Sequence, residues 1–216
     1  MKAVIFDMDG VIVDSEPLHV KAEKEVCRRY NIQVEDNDWL GFKGKTTIDI
    51  FSFISKKYNP SINPKQMADA KLGIYLELAS KPENLKVYSG FFELISCLKQ
   101  KYKIALTTSS VKAIQECVFS HYSLFPFFDV IVNGSMVSKG KPDPEPYSLT
   151  ISKLRLNPED CIVIEDSDNG ILSAKRAGAK VIAVTHSFGR EKLKEADYIV
   201  DSLLEVKQLL EKGIIN

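Results

Sequence analysis

The chain has 216 residues, 44% of them hydrophobic, with 29 basic and 29 acidic side chains and a formal net charge of +0. That length and composition suit a soluble globular protein with one ample core and room for a smaller second unit. The charge balance excludes the broad positive field that gathers nucleic acid or anionic lipid, while leaving room for a local anion site. Cys27, Cys97, Cys117 and Cys161 are widely spaced in apolar surroundings and form no CxxC pair. Reduced thiols in the cytoplasm fit this spacing better than a disulfide frame or a zinc site. No apolar run approaches the ~20 residues needed to cross a bilayer. The first residues, with only Lys2 before a short apolar run that meets acids at once, are unlike a signal peptide.

The first predicted element is the strand Ala3, Val4, Ile5, Phe6, which ends abruptly at Asp7, with Asp9, Asp14 and Glu16 close behind. Bare carboxylates so near one another repel, and a fold that gathers them needs a cation or a proton to offset the cost. From about 17 to 85 the pattern changes to consecutive amphipathic helices, roughly 17–30, 46–57 and 64–80, joined by the polar loops NIQVEDND and YNPSINP. A helix over 91–100 then feeds the run KIAL ahead of Thr107. Further apolar, β-branched runs follow: DVIV ahead of Asn133, CIVI ahead of Glu165, KVIAV ahead of Thr185, and the weaker YIV at 198–200.

Runs that are apolar on both faces and alternate with helices describe a parallel sheet buried between helix layers. The expected fold class is α/β, a doubly wound parallel sheet with a small inserted all-helical domain. Residues 1–15 and 86–216 form the core and 16–85 the insert. Ligands in such sheets bind beyond the carboxyl ends of the strands, so the polar residues after each run are site candidates.

Four pieces fall there: Asp7 with Asp9, TTSS at 107–110, KGKPDP at 139–144 and EDSDNG at 165–170. Together they offer a carboxylate nucleophile, a second carboxyl group, hydroxyl and amide donors, a lysine, and further carboxylates for a cation. Oxygen ligands without histidine or cysteine favour Mg²⁺. Phosphoryl transfer uses such a set: Asp7 attacks phosphorus and Asp9, sharing its face in an extended segment, serves as acid and then base. Thr108 and the backbone amide of Ser109 hold a non-bridging oxygen, Lys141 bridges phosphate and Asp7, and Glu165 with Asp166 holds Mg²⁺.

FDMDGVIVDSEPLH, IALTTSS, GKPDPEPY and VIEDSDNG resemble the four motifs of the haloacid dehalogenase superfamily, in the order and spacing of its β-phosphoglucomutase-like and sugar phosphatase branch. The resemblance covers essentially the whole chain. It implies a helical cap after the first motif, a metal contact from the backbone carbonyl of Asp9, and Asp166 as the steadier metal ligand, with Glu165 variable. It further implies cap and hinge contacts to substrate from His19, Gly44, Lys71 and Tyr75.

The mutase pattern carries an arginine three residues beyond the glycine matching Gly44, where this chain has Thr47. Lys45 or Lys71 could compensate as point charges, without an arginine's bidentate geometry. The departure favours a phosphatase that hydrolyses a small phosphorylated metabolite, acting as a monomer without nucleic-acid or membrane partners. A β-phosphoglucomutase, a receiver-like phospho-acceptor domain and a C2-haloacid dehalogenase are the alternatives.

Simpler readings stand beside these. Asp14 and Glu16 suit the cap of the first inserted helix, and Asp168 and Asn169 the cap of the helix after EDS. Lys71 and Tyr75, four apart, could line a solvated helix face. His121 and His186 read as structural.

Overall fold

The computed structural model describes residues 1–42 and 45–213. In chain order the elements are β1 (Ala3–Phe6), β2 (Val13–Asp14), α1 (Glu16–Arg29), α2 (Asp36–Leu40), α3 (Thr47–Tyr58), α4 (Pro64–Ala79), β3 (Lys86–Val87), α5 (Phe91–Lys99), β4 (Lys103–Thr107) and α6 (Lys112–His121). They continue with β5 (Val130–Val132), α7 (Glu145–Leu154), β6 (Cys161–Glu165), α8 (Asp168–Arg176), β7 (Lys180–Val184), β8 (Tyr198–Val200) and α9 (Leu203–Glu211). These group into two compact units, Met1–Ser15 with the chain from Lys86 onward, and Glu16–Leu85.

The first unit is built on a six-stranded sheet in the order β5-β4-β1-β6-β7-β8, parallel throughout. β1 lies at its centre and is wholly buried, as a strand apolar on both faces must be. Its alternate residues serve the two faces. Ala3 and Ile5 join the cluster of Tyr147, Ile151, Val163, Ile171 and Val181, while Phe6 meets Phe91 and Phe128 edge-on at 5.9 and 6.3 Å. Truncating Phe6 to alanine would cost about 3–5 kcal/mol in lost transfer energy and cavity.

From β1 the chain visits β4 and β5 on one side and later β6, β7 and β8 on the other. The order therefore reverses at β1, which opens a crevice at its carboxyl end. An aspartate before a strand pins its neighbour twice: Asp129 accepts from the backbone N–H of Ile104 and Asp197 from that of Val181.

β2 and β3 form an antiparallel ribbon, Val13 opposite Val87 and Asp14 opposite Lys86, where the chain leaves for the helical unit and returns. Strands of two residues show no periodicity, so the sequence reading contains neither.

The helical unit packs α1, α3 and α4 through Leu18, Ala22, Val26, Ile50, Phe51, Ile54, Met67 and Ile74, at helical spacing. Thr46 caps α3 by accepting from Asp49 N. Asn63 caps α4 by accepting from Lys65 N, with Pro64 at the first helical position. α2 occupies part of the stretch read as loop; five residues are too few to display a helical period. Among the described residues no helix is long and apolar enough to cross a membrane.

Candidate active site

Asp7 follows directly on β1, and its backbone N–H donates to Ile164 O at 3.0 Å, so the end of β6 fixes where its side chain begins. Lys141 Nζ donates to Asp7 Oδ1 at 2.5 Å, to Glu165 Oε1 at 2.7 Å and to Thr107 O at 3.2 Å. Three acceptors match the three protons of an ammonium. The same Nζ stands 4.8 Å from the centre of the Tyr147 ring. The sheet thus brings 7, 107, 141 and 165 together from four separate stretches of chain.

Glu165 is fully buried and fully engaged. Oε1 also accepts from Tyr147 Oη at 2.9 Å, and Oε2 accepts from Asp166 N, Ser167 N and Ser167 Oγ at 2.8, 3.1 and 3.0 Å. A Cβ on Gly170 would lie 1.7 Å from Glu165 Oε1, so only glycine fits over this carboxylate. With both oxygens occupied, Glu165 holds Lys141 and closes the turn into α8. Glu165 was expected as a metal ligand; in this structure its oxygens meet protein donors. The α8 cap is likewise Ser167, whose Oγ accepts from Gly170 N; Asp168, expected in that role, sits in the first turn.

Electrostatics divide the acids. Burial pushes Asp7 up to about 8, with Glu165 and Asp9 adding to the rise and Lys141 opposing it. Burial also drives Asp166 well above the usual carboxylate range, reinforced by Glu165 and Asp7. Glu165 goes the other way: burial raises it, but Lys141 and the N–H donors outweigh burial and hold it low. Lys141 loses charge stability by burial, yet Asp7 and Glu165 overcompensate and keep it charged.

Asp9 sits among hydroxyls, accepting from Ser15 Oγ at 2.6 Å, Ser110 Oγ at 2.8 Å and Thr108 Oγ1 at 3.4 Å. Thr108 is buried and receives Ser110 N at 3.0 Å, while Ser109 is exposed in the same turn. Gly10 carries the chain past with φ +81°, a conformation open to glycine. A Cβ there would fall 1.8 Å from Asp166 Oδ2.

The donor set fits a hard divalent cation. Asp7 raises the proton affinity of the buried Asp166, a like-charge condition that a cation relieves. Among the described residues no three His, Cys, Asp or Glu side chains form a ready-made cage. Mg²⁺ does not require one, since it commonly uses one or two carboxylates and fills the rest with water and phosphate.

The model of the haloacid dehalogenase-like hydrolases matches residues 4–184. The chain belongs to that family. It is 33% identical to the phosphorylated carbohydrates phosphatase of Thermotoga maritima, over 100% of this chain and 93% of that protein. It is also 33% identical to the beta-phosphoglucomutase of Bacillus subtilis, over 85% and 83%. Among solved structures, CbbY from Rhodobacter sphaeroides in complex with phosphate superposes with a TM-score of 0.85 at 25% identity, covering 95% of this chain and 96% of that one.

In this haloacid dehalogenase-like chain the helical unit holds the remaining candidates. His19 stacks on Tyr75 at 4.5 Å between ring centres. Lys71 is buried and bonded to Glu23 Oε1 at 2.5 Å and Thr47 Oγ1 at 2.9 Å, so it does not belong to a solvated face. Lys45 Nζ lies 5.9 and 5.8 Å from the Phe42 and Phe53 ring centres. Gly44 lies outside the described residues.

Several contributors were given no role by the sequence of this family member: Ser15, Ser110, Tyr147 and Ser187, with His186 read there as structural. Ser110 and Tyr147 lie inside quoted motifs, so proximity to TTSS and GKPDP was their only signal. His186 and Ser187 follow β7 at a strand end, a position that marks a site without naming a role.

Proposed function

We propose that the chain is a Mg²⁺-dependent phosphohydrolase that acts on a small phosphomonoester of the sugar phosphate class through an aspartyl-phosphate. One observation carries this reading. At the reversal point of the sheet, a buried aspartate is bonded to a buried lysine and faces a second buried acid. The likeness to proteins named for phosphorylated carbohydrates and for phosphoglucomutase supports the substrate class.

In the proposed reaction Asp7 attacks phosphorus, and the ester oxygen leaves with a proton from Asp9. Asp9 then takes a proton from water, which attacks the aspartyl-phosphate and releases inorganic phosphate and the original carboxylate. Lys141 offsets charge on Asp7 and on the phosphoryl group. Thr108 Oγ1 and the amide of Ser109 hold a non-bridging oxygen. Mg²⁺, held by Asp7, Asp166 and the carbonyl of Asp9, would neutralise charge on the phosphoryl oxygens.

Transfer to water rather than to a second sugar is favoured by the state of Lys71. A mutase must hold a second phosphate, which calls for an uncommitted cation. Here Thr47 replaces the arginine of the mutase pattern, the Lys71 ammonium is neutralised by buried Glu23, and Lys45 offers a point charge without an arginine's bidentate geometry.

A panel of phosphorylated metabolites incubated with Mg²⁺ tests the proposal. It includes β-glucose 1-phosphate with catalytic traces of the 1,6-bisphosphate. Free phosphate is the expected product. Glucose 6-phosphate would convert the reading to a mutase, and no turnover of any ester would overturn it.

A further inference from the structure

The turn that follows β7 touches the nucleophile loop at two points. His186 Nδ1 lies 2.9 Å from Gly10 O. A carbonyl can only accept, so the ring presents its protonated nitrogen there. The imidazole is held in that attitude by a stack on Tyr88, 3.9 Å between centres and 12° between planes. The next residue, Ser187, makes a side-chain hydrogen bond with Asp166. Its Oγ also stands 2.6 Å from where a Cβ on Gly10 would be.

Gly10 is thereby gripped from both sides, because its N–H donates to Val13 O at 2.9 Å while its carbonyl receives His186. The Asp9 carbonyl belongs to the same planar amide as the Gly10 N–H and points the opposite way in a trans peptide. The Val13 bond to that N–H therefore sets the direction of the Asp9 carbonyl, and His186, by holding the adjoining Gly10–Val11 peptide, restrains rotation at Gly10.

We infer that His186 and Ser187 are positioning residues for the cation site. Ser187 orients the Asp166 carboxylate, and His186 orients the Asp9 carbonyl through Gly10. The inference rests on the cation site in the proposed function and adds two residues that touch neither substrate nor cation. Groups that orient metal ligands in this way commonly alter affinity by about 10–100-fold.

Calorimetric titration of Mg²⁺ into the full chain, without substrate, reads the effect directly. Ser187→Ala and His186→Phe, the latter keeping an aromatic ring against Tyr88, should weaken Mg²⁺ binding by about tenfold or more. Ser187→Thr, which keeps a hydroxyl, and His186→Asn, which keeps an amide N–H near the Nδ1 position, should bind close to wild type. Melting curves without Mg²⁺ verify that each variant is folded. Undiminished affinity in Ser187→Ala, equal losses in the conservative variants, or no Mg²⁺ binding by the wild type would overturn the inference. A parallel phosphate-release assay separates the two readings. The affinity pattern without hydrolysis of any ester supports the positioning roles and sinks the phosphohydrolase, and hydrolysis without the pattern does the reverse.

Discussion

Lys141 Nζ donates to Glu165 Oε1 at 2.7 Å, and Glu165 in turn is fastened by its other oxygen to Asp166 and Ser167 at the entry to α8. A lysine delivered by the loop before α7 is thus anchored to β6, and that anchor aims it at Asp7. The arrangement is stable only as a set, because each charge is buried and depends on the others.

Lys141→Ala is expected to abolish most turnover and to destabilise the protein. Loss of a charge-stabilising donor lowers kcat by about 10²–10³-fold, and two buried carboxylates left without their counter-ion cost about 3–5 kcal/mol. Steady-state kinetics and urea unfolding measure both. A variant as active and stable as wild type would remove Lys141 from the site.

Asp7→Asn should leave the fold intact and reduce phosphate release to background. The amide keeps an oxygen acceptor for Lys141 but cannot form the acyl phosphate. Phosphate release at the wild-type rate would end the nucleophile assignment.

Chelation should silence the enzyme, and added Mg²⁺ should restore it. Mg²⁺ should also raise the melting temperature, because a ligand that binds only the folded state stabilises it in proportion to RT ln(1 + [L]/Kd). Full activity after exhaustive treatment with a chelator would contradict the cation role and return the dehalogenase alternative to consideration.

In the helical unit, Lys71→Met should destabilise by about 3–5 kcal/mol, since it strands Glu23 in the interior. Adding Glu23→Gln should recover much of that loss. Chemical unfolding of the two single variants and the double variant gives the coupling, and additive losses would mean the pair contributes nothing as a pair.

Asp197 provides a pH test away from the site. Its oxygens accept from Lys175 Nζ at 2.6 Å and Val181 N at 2.7 Å. Burial raises its pKa, but these donors outweigh burial and bring it below 3.8. An acid with a depressed folded pKa stabilises above its unfolded pKa, and that contribution is lost as pH falls through the folded value. Asp197→Asn keeps an oxygen for Val181 N–H but loses the charge, and should therefore cost about 1 kcal/mol at neutral pH, mostly by weakening that charge-assisted bond because the lysine contact is partly solvated. The difference from wild type should shrink below about pH 4. A gap that persists unchanged in acid would show that charge plays no part.

The alternation of β-branched runs with helices determined the sheet, because strands buried on both faces have no polar positions and cannot be mistaken for surface strands. The polar residues after the runs marked Asp7, Asp9 and Asp166, and the loop beyond DVIV marked Lys141, as candidates for the same reason, since polar residues that terminate apolar runs must emerge at one edge. Chain order alone did not show the two-residue ribbon of β2 and β3, the short α2, or the cap on α8 from Ser167. Each depends on one or two hydrogen bonds without any period.

What only the tertiary structure decided is the division of labour among like residues. Glu165 and Asp166 are adjacent and chemically alike, yet one is saturated by Lys141, Tyr147 and the α8 entry while the other faces Asp7. Lys71 could have been a free cation until Glu23, forty-eight residues earlier, was found bonded to it. Local sequence sets which groups can ionise, but their charge state depends on burial and on partners that only long-range packing brings into contact.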